Sequence, residues 1–389
     1  MLIQKIYIGG WFQRTTLHLT EVWDFLKHQK SELGFSSTEL QKALVLLRLD
    51  SVERKSDLLE YIDATTQAGV NFRIYEDGLM VLEKNYTNLK ADFREIKEYY
   101  DTKLSRSLSL LFSKGAPVPK ELANIKTILP YIVMVSGASV TDLKKLFKDA
   151  KQEIYSTVSS GKIDVYRSPG LIIINNLEDE KLARQIIESQ IFFREFKTQL
   201  HRYLNIHRSI WEKIAHIKEQ GSILGKDIDI FRNQLSEYQK TINLIDARIN
   251  QMDVYIKTRQ KVSDIQNIDA YLHPLFQYKF ETLLDTHAYI KHLWRMTQEY
   301  LNSAIATFTE LQARSTKNTI SSLQLVTTIG VVAGIIGYLA KDTLPKLTVV
   351  GLAYFVLLMA LTWIINSIIS KFYRNRKYTL ETPKVLKDL

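Results

Sequence analysis

Two uncharged apolar stretches near the C-terminus, residues 318–340 and 347–370, constrain this chain more than any other feature. Only Lys341-Asp342-Thr343-Leu344-Pro345-Lys346 separates them. As a helix, each is long enough to cross a hydrocarbon core of ~30 Å at ~1.5 Å per residue. So short a connection leaves no room for a domain and forces an antiparallel hairpin. The alternative is a helical hairpin buried in a soluble core, where uncharged runs of this length are rare.

Basic residues set the expected orientation. Lys371, Arg374, Arg376 and Lys377 crowd the exit of the second stretch, and Arg314 and Lys317 precede the first. By the positive-inside rule both termini are cytoplasmic, the short loop is outside, and the chain is a multi-pass protein of the inner (cytoplasmic) membrane. The start MLIQKIYIGG has no long apolar core, so a secretory leader is not expected. The formal charge of +10 is spread along the chain except for the tail cluster. A nucleic-acid partner would call for a basic patch interleaved with aromatic residues, and none is evident. The tail suits anionic lipid of the inner leaflet.

Several chemistries are excluded or unsupported. There is no cysteine, which rules out disulfides, thiolate zinc sites and cysteine nucleophiles. None of the eight histidines has a partner at the i,i+4 spacing of a helical metal site. No phosphate-cradling GxxxxGK[ST], G-x-S-x-G elbow or HExxH occurs, so an enzyme is not expected. Ser136-Gly137-Ala138-Ser139 is the nearest approach to a phosphate-holding turn.

Residues 1–176 read as a mixed α/β domain. β-type runs fall at 3–8, 70–75, 79–82, 131–135, 154–158, 162–167 and 171–174, with Asp77-Gly78 and Ser160-Gly161 as hairpin turns. Helices are expected at 21–30, 38–49 (with Ser36 or Ser37 as N-cap), 56–68, 85–112 and 141–151. Residues 114–119 look like a surface linker. From 178 to 266 there is no proline, and the two glycines are Gly221 and Gly225, which predicts two long helices broken there. A second break is expected over 267–274.

After Pro274, Phe276, Phe280, Leu283, His287, Ile290, Trp294, Thr297, Leu301, Ala304, Phe308 and Leu311 alternate four and three apart. This 3.5-residue repeat is the pattern of a helix packed along a shared seam. One helix from about Leu275 to Tyr338 follows, roughly 95 Å long at ~1.5 Å per residue. The seam suits either an intramolecular three-helix bundle or the axis of an oligomer; Thr297 and His287 within it favour the oligomer. The expected organisation is therefore a cytoplasmic α/β sensor domain (1–176), a stalk of long helices (177–317), a transmembrane hairpin (318–340 and 347–370) and a basic cytoplasmic tail (371–389).

This order resembles the CorA family of divalent-cation channels. Ala333-Gly334-Ile335-Ile336-Gly337-Tyr338-Leu339 is similar to the family's Ala-Gly-Ile-x-Gly-Met-Asn-like segment at the end of the first span, and Pro345 matches a proline in the following loop. The resemblance implies a homopentamer whose first span lines a central pore. It departs at the filter: Tyr338 stands for methionine and Leu339 for asparagine, and leucine offers no oxygen to a cation or its water shell. Lys341 and Lys346 make the loop basic where a cation funnel favours acids. The resemblance extends to divergent CorA-like effectors of type III CRISPR antiviral defence, which respond to a nucleotide messenger made from S-adenosylmethionine and ATP.

Two faces of the first span are pore candidates. Thr319, Leu323, Thr327, Gly330, Gly334 and Gly337, followed by Tyr338 and Leu339, form a small-residue face, although Gly330 and Gly334 equally suit a small-xxx-small contact with another helix. Asn318, Ser321, Gln324, Thr328, Val331 and Ile335 form a face that is polar at the cytoplasmic end and apolar beyond, as a dewetting gate would be. In the N-terminal domain, Trp11, Arg14, Trp23 and Arg73 are candidates for stacking on and pairing with a nucleotide, or are core tryptophans and surface arginines. The expectation is a ligand-gated channel for an unidentified ion, a divalent cation among the candidates. Its alternatives are a divalent-metal transporter of altered selectivity and a membrane-tethered coiled-coil scaffold.

Overall fold

The computed structural model describes residues 2–13, 17–115, 128–161, 163–177, 179–339 and 349–380. They form two compact units: residues 1–205 with 243–292, and residues 206–242 with 293–389. These units cut across the sequence-based boundaries, because each long helix contributes to both.

The first unit is built on a nine-stranded sheet. In chain order its elements are β1 (Leu2–Trp11), α1 (Leu19–Trp23), α2 (Ser37–Leu47), β2 (Leu49–Ser56), β3 (Glu60–Thr66), β4 (Val70–Tyr75), β5 (Leu79–Asn85), α3 (Leu89–Tyr99), α4 (Ser105–Gly115), β6 (Tyr131–Ser136), α5 (Val140–Asp149), β7 (Ser156–Ser160), β8 (Ile163–Arg167) and β9 (Leu171–Asn175). Asp24–His28 and Tyr100–Leu104 are π-helical turns that prolong α1 and join α3 to α4. The strand order is β2-β3-β4-β5-β1-β6-β9-β8-β7, antiparallel throughout except for β6 beside β9. Ser36 caps α2 in a capping box with Glu39, and Ser139 does the same for α5 with Asp142.

The segment expected as a helix over 56–68 is instead the end of β2 followed by β3. Residues 60–66 alternate half-buried and buried, and β-branched Ile62, Thr65 and Thr66 suit a strand. Ile62 and Ala64 are buried opposite Ile74 and Phe72 of β4. β2 escaped detection because it is an edge strand with only Val52 buried and charges elsewhere, as edges are commonly protected. The linker reading at 114–119 falls mostly outside the described residues; Lys114 and Gly115 end α4.

The long helices follow. α6 is Glu180–Lys218 and α7 is Gly225–Gln266, separated by the break expected at Gly221 and Gly225. The break expected over 267–274 opens at Asn267, where φ is +53°, and is followed by the short α8 (Asp269–Phe276), which contains Pro274; a second break at residues 277–279 precedes α9 (Phe280–Leu339). In the first unit α6 comes so close to β1 that a Cβ on Gly9 would lie 2.5 Å from the Met80 carbonyl oxygen and 2.9 Å from Ile191. Trp11 packs there on Phe192, Phe196 and Tyr255.

In the second unit, segments of α6, α7 and α9 pack with α10 (Val349–Asn375) and a two-stranded pair of β10 (Ser222–Leu224) and β11 (Lys377–Thr379). Trp211 stacks on Tyr300 at 4.5 Å, and Phe231 meets Phe308 edge-on at 5.9 Å. Within the basic tail expected over 371–389, residues 377–379 form a strand. Gly225 permits it: a Cβ there would lie 2.4 Å from the Tyr373 carbonyl oxygen.

The heptad seam is buried inside a single chain. Every residue from Phe276 to Leu311 in the repeat is buried, including His287, whose Nε2 lies 2.6 Å from the Ile249 carbonyl oxygen, and Thr297, whose hydroxyl donates to Leu293. The preference for the seam as an oligomer axis is therefore overturned: helices of the same chain consume it, and its two polar residues are satisfied locally.

Candidate functional site

In the first unit a cleft of about 260 Å³ lies where β3 and β4 meet α6 and α7. β4 contributes Arg73 and Tyr75, β3 contributes Tyr61, α6 contributes Lys181, Arg184, Gln185 and Glu188, and α7 contributes Arg259. Strand alternation places Arg73 and Tyr75 on one face. The 3–4 spacing of the α6 residues places them on one helical face.

Each arginine has a carboxylate partner. Arg259 makes a two-pronged bond to Asp77 at 2.5 and 2.8 Å, with both side chains almost fully buried. Its guanidinium also lies 4.9 Å from the Tyr75 ring centre. Arg73 bonds both oxygens of Asp63 at 3.3 Å and lies 3.9 Å from Glu188. Arg184 reaches Glu83 and Glu180 at 3.4 Å. Its Nε is buried with no hydrogen-bond partner among the described residues, a costly state for a charged donor.

Glu188 is the hinge of this electrostatics. Burial pushes its carboxyl up from the ordinary range, while the Tyr75 hydroxyl, donating at 2.5 Å, and the charges of Arg259, Arg73 and Arg184 pull it partly back. Burial also works against the charge of Arg259, but Asp77 outweighs it and holds the guanidinium above its usual value. Burial and the Glu188 charge drive the Tyr75 phenol well above its range. Together these groups set three guanidinium groups and two tilted aromatic rings 5.2 Å apart beside the carboxylates of Glu188 and Asp57.

Of the residues singled out from sequence as ligand contacts, Arg73 alone lines this cleft. Trp11 is 6% exposed, and its indole N–H donates to the Asp77 carbonyl oxygen at 2.9 Å. Trp23 packs against a different part of the core and edge-on to His28. Arg14 lies outside the described residues. Sequence reasoning missed Tyr61, Tyr75, Arg184, Glu188 and Arg259; the spacing on α6 was the available signal. Among the described residues no group of three or more histidines and carboxylates is placed to hold a metal ion.

The second unit carries the apolar helix. Within α9 an eighteen-residue window has mean hydropathy 1.8 and is 0% buried. Among the described residues this is the one helix long and apolar enough to cross a membrane. Asn318, Thr319, Ser322 and Leu323 are half-buried, and Ser322 hydrogen-bonds Tyr373 of α10 at 2.7 Å. Thr319 and Leu323 therefore lie in a groove shared with α10. Ser321, Gln324, Thr328, Val331 and Ile335 are exposed, as are Thr327, Gly330 and Gly334. A Cβ on Gly330 or Gly334 would meet nothing within 4 Å, so no small-residue helix contact forms there among the described residues. Gly337, Tyr338 and Leu339 continue the α9 backbone, and their side chains lie outside the described set, as do residues 340–348.

No family model and no curated protein matches the chain. Among solved structures, a CorA magnesium transporter from Methanocaldococcus jannaschii is similar over 64% of this chain and 92% of its own, with 13% sequence identity and a TM-score of 0.20.

Proposed function

We propose that the protein is a homo-oligomeric membrane channel, CorA-like in plan, gated by an anionic ligand in the arginine-lined cleft. The observation that carries the reading is the bare apolar run of α9. Ile320, Leu325, Ile329, Val331, Val332, Ile335 and Ile336 are all exposed in sequence on one helix. Each such side chain left in water forgoes roughly 1.5–3 kcal/mol, and a contiguous apolar surface of this kind calls for lipid or partner helices.

In this reading α9 and α10 cross the bilayer as a hairpin with both ends cytoplasmic. Because α10 takes the Thr319–Leu323 side of α9, the pore falls to the uncovered face bearing Ser321, Gln324, Thr328, Val331 and Ile335. That face grades from polar to apolar and would gate by wetting. With Leu339 in place of an amide, the pore lacks a magnesium-choosing filter. The cleft serves as the sensor: an anion held by Arg73 and Arg184 would relieve the unsatisfied donor and draw Arg73 away from Glu188 and Arg184 away from Glu83 and Glu180. Since Arg184 and Glu188 lie on α6, ligand binding would bias that helix by its differential affinity for two states. A phosphate-bearing nucleotide fits the combination of guanidinium groups and tyrosines.

The test is ion release from liposomes holding the full chain. Release on addition of a nucleotide, with an S-adenosylmethionine–AMP conjugate in the panel, and its loss in Arg73→Ala support the reading. Release driven by a magnesium gradient alone would make the chain a constitutive transporter. No release under either condition would leave a tethered scaffold.

A further inference from the structure

The groove between the cytoplasmic ends of α9 and α10 has a volume of about 670 Å³ and a graded lining. At one end stand Lys226, Lys371 and Arg374; none of the three is in an ion pair among the described residues, and no carboxylate lines the groove. Next come the amide of Asn366, the hydroxyls of Ser367 and Ser370 and the side chain of Leu323, and at the far end Trp363. Residues 363, 367, 370 and 374 are spaced four, three and four, so they share one face of α10. Eight residues separate Trp363 from Lys371, about 12 Å at ~1.5 Å per residue, comparable to the distance from a phosphate to the upper acyl chain.

We propose that this groove is a specific site for an anionic diacyl phospholipid of the cytoplasmic leaflet, the phosphate at Lys226, Lys371 and Arg374, the glycerol region at the serines and asparagine beside Leu323, and one acyl chain along Trp363. The proposal rests on the membrane reading of α9 and α10. A free phosphate would use the basic end and leave the apolar end empty; the gradient matches a lipid along its whole length. Basic pockets beside transmembrane helices on this side of a bilayer recognise headgroups in the same way. The position of Lys226 matters most. It follows Gly225, whose N–H donates to the Arg376 carbonyl oxygen at 3.0 Å. The lipid therefore bridges the α6–α7 turn and the end of α10, stabilising the β10–β11 pairing.

Trp363, which is 72% exposed, is the reporter. The full chain is reconstituted in phosphatidylcholine vesicles containing brominated phosphatidylglycerol or brominated phosphatidylcholine, and the Trp363→Phe signal is subtracted. The expected result is quenching at least about threefold more efficient by the anionic lipid. That ratio should fall towards one in a Lys226→Gln, Lys371→Gln double variant and be retained in Lys377→Gln, which removes a neighbouring charge outside the groove. Equal quenching by both lipids, or an equal fall in Lys377→Gln, would overturn the site. Loss of the preference on adding sn-glycerol 3-phosphate would assign the groove to a soluble anion instead. No quenching by either lipid would overturn the membrane reading itself.

Discussion

α9 contains two helical stretches that obey opposite rules. From Phe280 to Leu311 the residues of the repeat recur every three or four positions and are buried; from Ile320 to Ile336 apolar residues occur on all sides and most are exposed. The first stretch is amphipathic, so helices of its own chain suffice to cover the stripe. The second is polar on one side only at its start and apolar all round beyond Thr328, and α10 covers just its Thr319–Leu323 side among the described residues. The polar exceptions follow the same division. Thr297 is buried and bonded to a backbone carbonyl, while Gln324 is exposed.

The largest expected effect sharpens that division. Trp294 is fully buried, and Trp294→Ala should cost about 3–5 kcal/mol. Ile329 is 61% exposed, and Ile329→Ala should leave the thermal midpoint of detergent-solubilised protein nearly unchanged. Equal losses would erase the distinction between the two stretches.

A comparable loss is expected in the first unit, where stability depends on charge rather than on apolar contact. Arg259→Ala leaves Asp77 buried without its partner, at a cost of about 3–5 kcal/mol. Replacing both by apolar residues should recover much of it, measurable as a non-additive double-mutant cycle.

Gly225→Ala should have an intermediate effect of about 1–3 kcal/mol, because the new methyl group meets a backbone oxygen that cannot rotate away. Its signature is local: trypsin should cut faster at Arg376 and Lys377 as β11 leaves β10. Unchanged cleavage would show that the pairing does not hold the tail.

The smallest effect is a pH slope. The raised carboxyl of Glu188 contributes stability that is fully present below its unfolded value and lost as pH rises through its folded value. Glu188→Gln should flatten this acid-side advantage in melts across the weakly acidic range. A slope unchanged by the substitution would mean that Glu188 keeps an ordinary carboxylate range.

Much of the fold was legible because its elements carry local signals. Ser36 marks a helix start, Asp77-Gly78 marks a hairpin, and Gly221 and Gly225 mark the turn between long helices. Edge strand β2 and neighbouring β3 were not legible, since a polar edge has no alternating stripe and Leu58, Leu59 and Ile62 mimic helical spacing. The cleft was legible only at Arg73. Arg259 is 182 residues from its partner Asp77, and nothing local announces a pair that distant.

The amino-acid sequence by itself determined that residues 318–340 and 347–370 are apolar and uncharged and that the 3.5-residue repeat must be covered, because both are matters of composition and period. Only the tertiary structure decided what covers the repeat. Burial depends on which surfaces arrive together, and here the chain's own helices reach the stripe and leave the apolar end of α9 bare. Tertiary structure likewise decided that the arginine cleft exists, since its donors come from β4, α6 and α7 and converge only when the sheet and the helices pack.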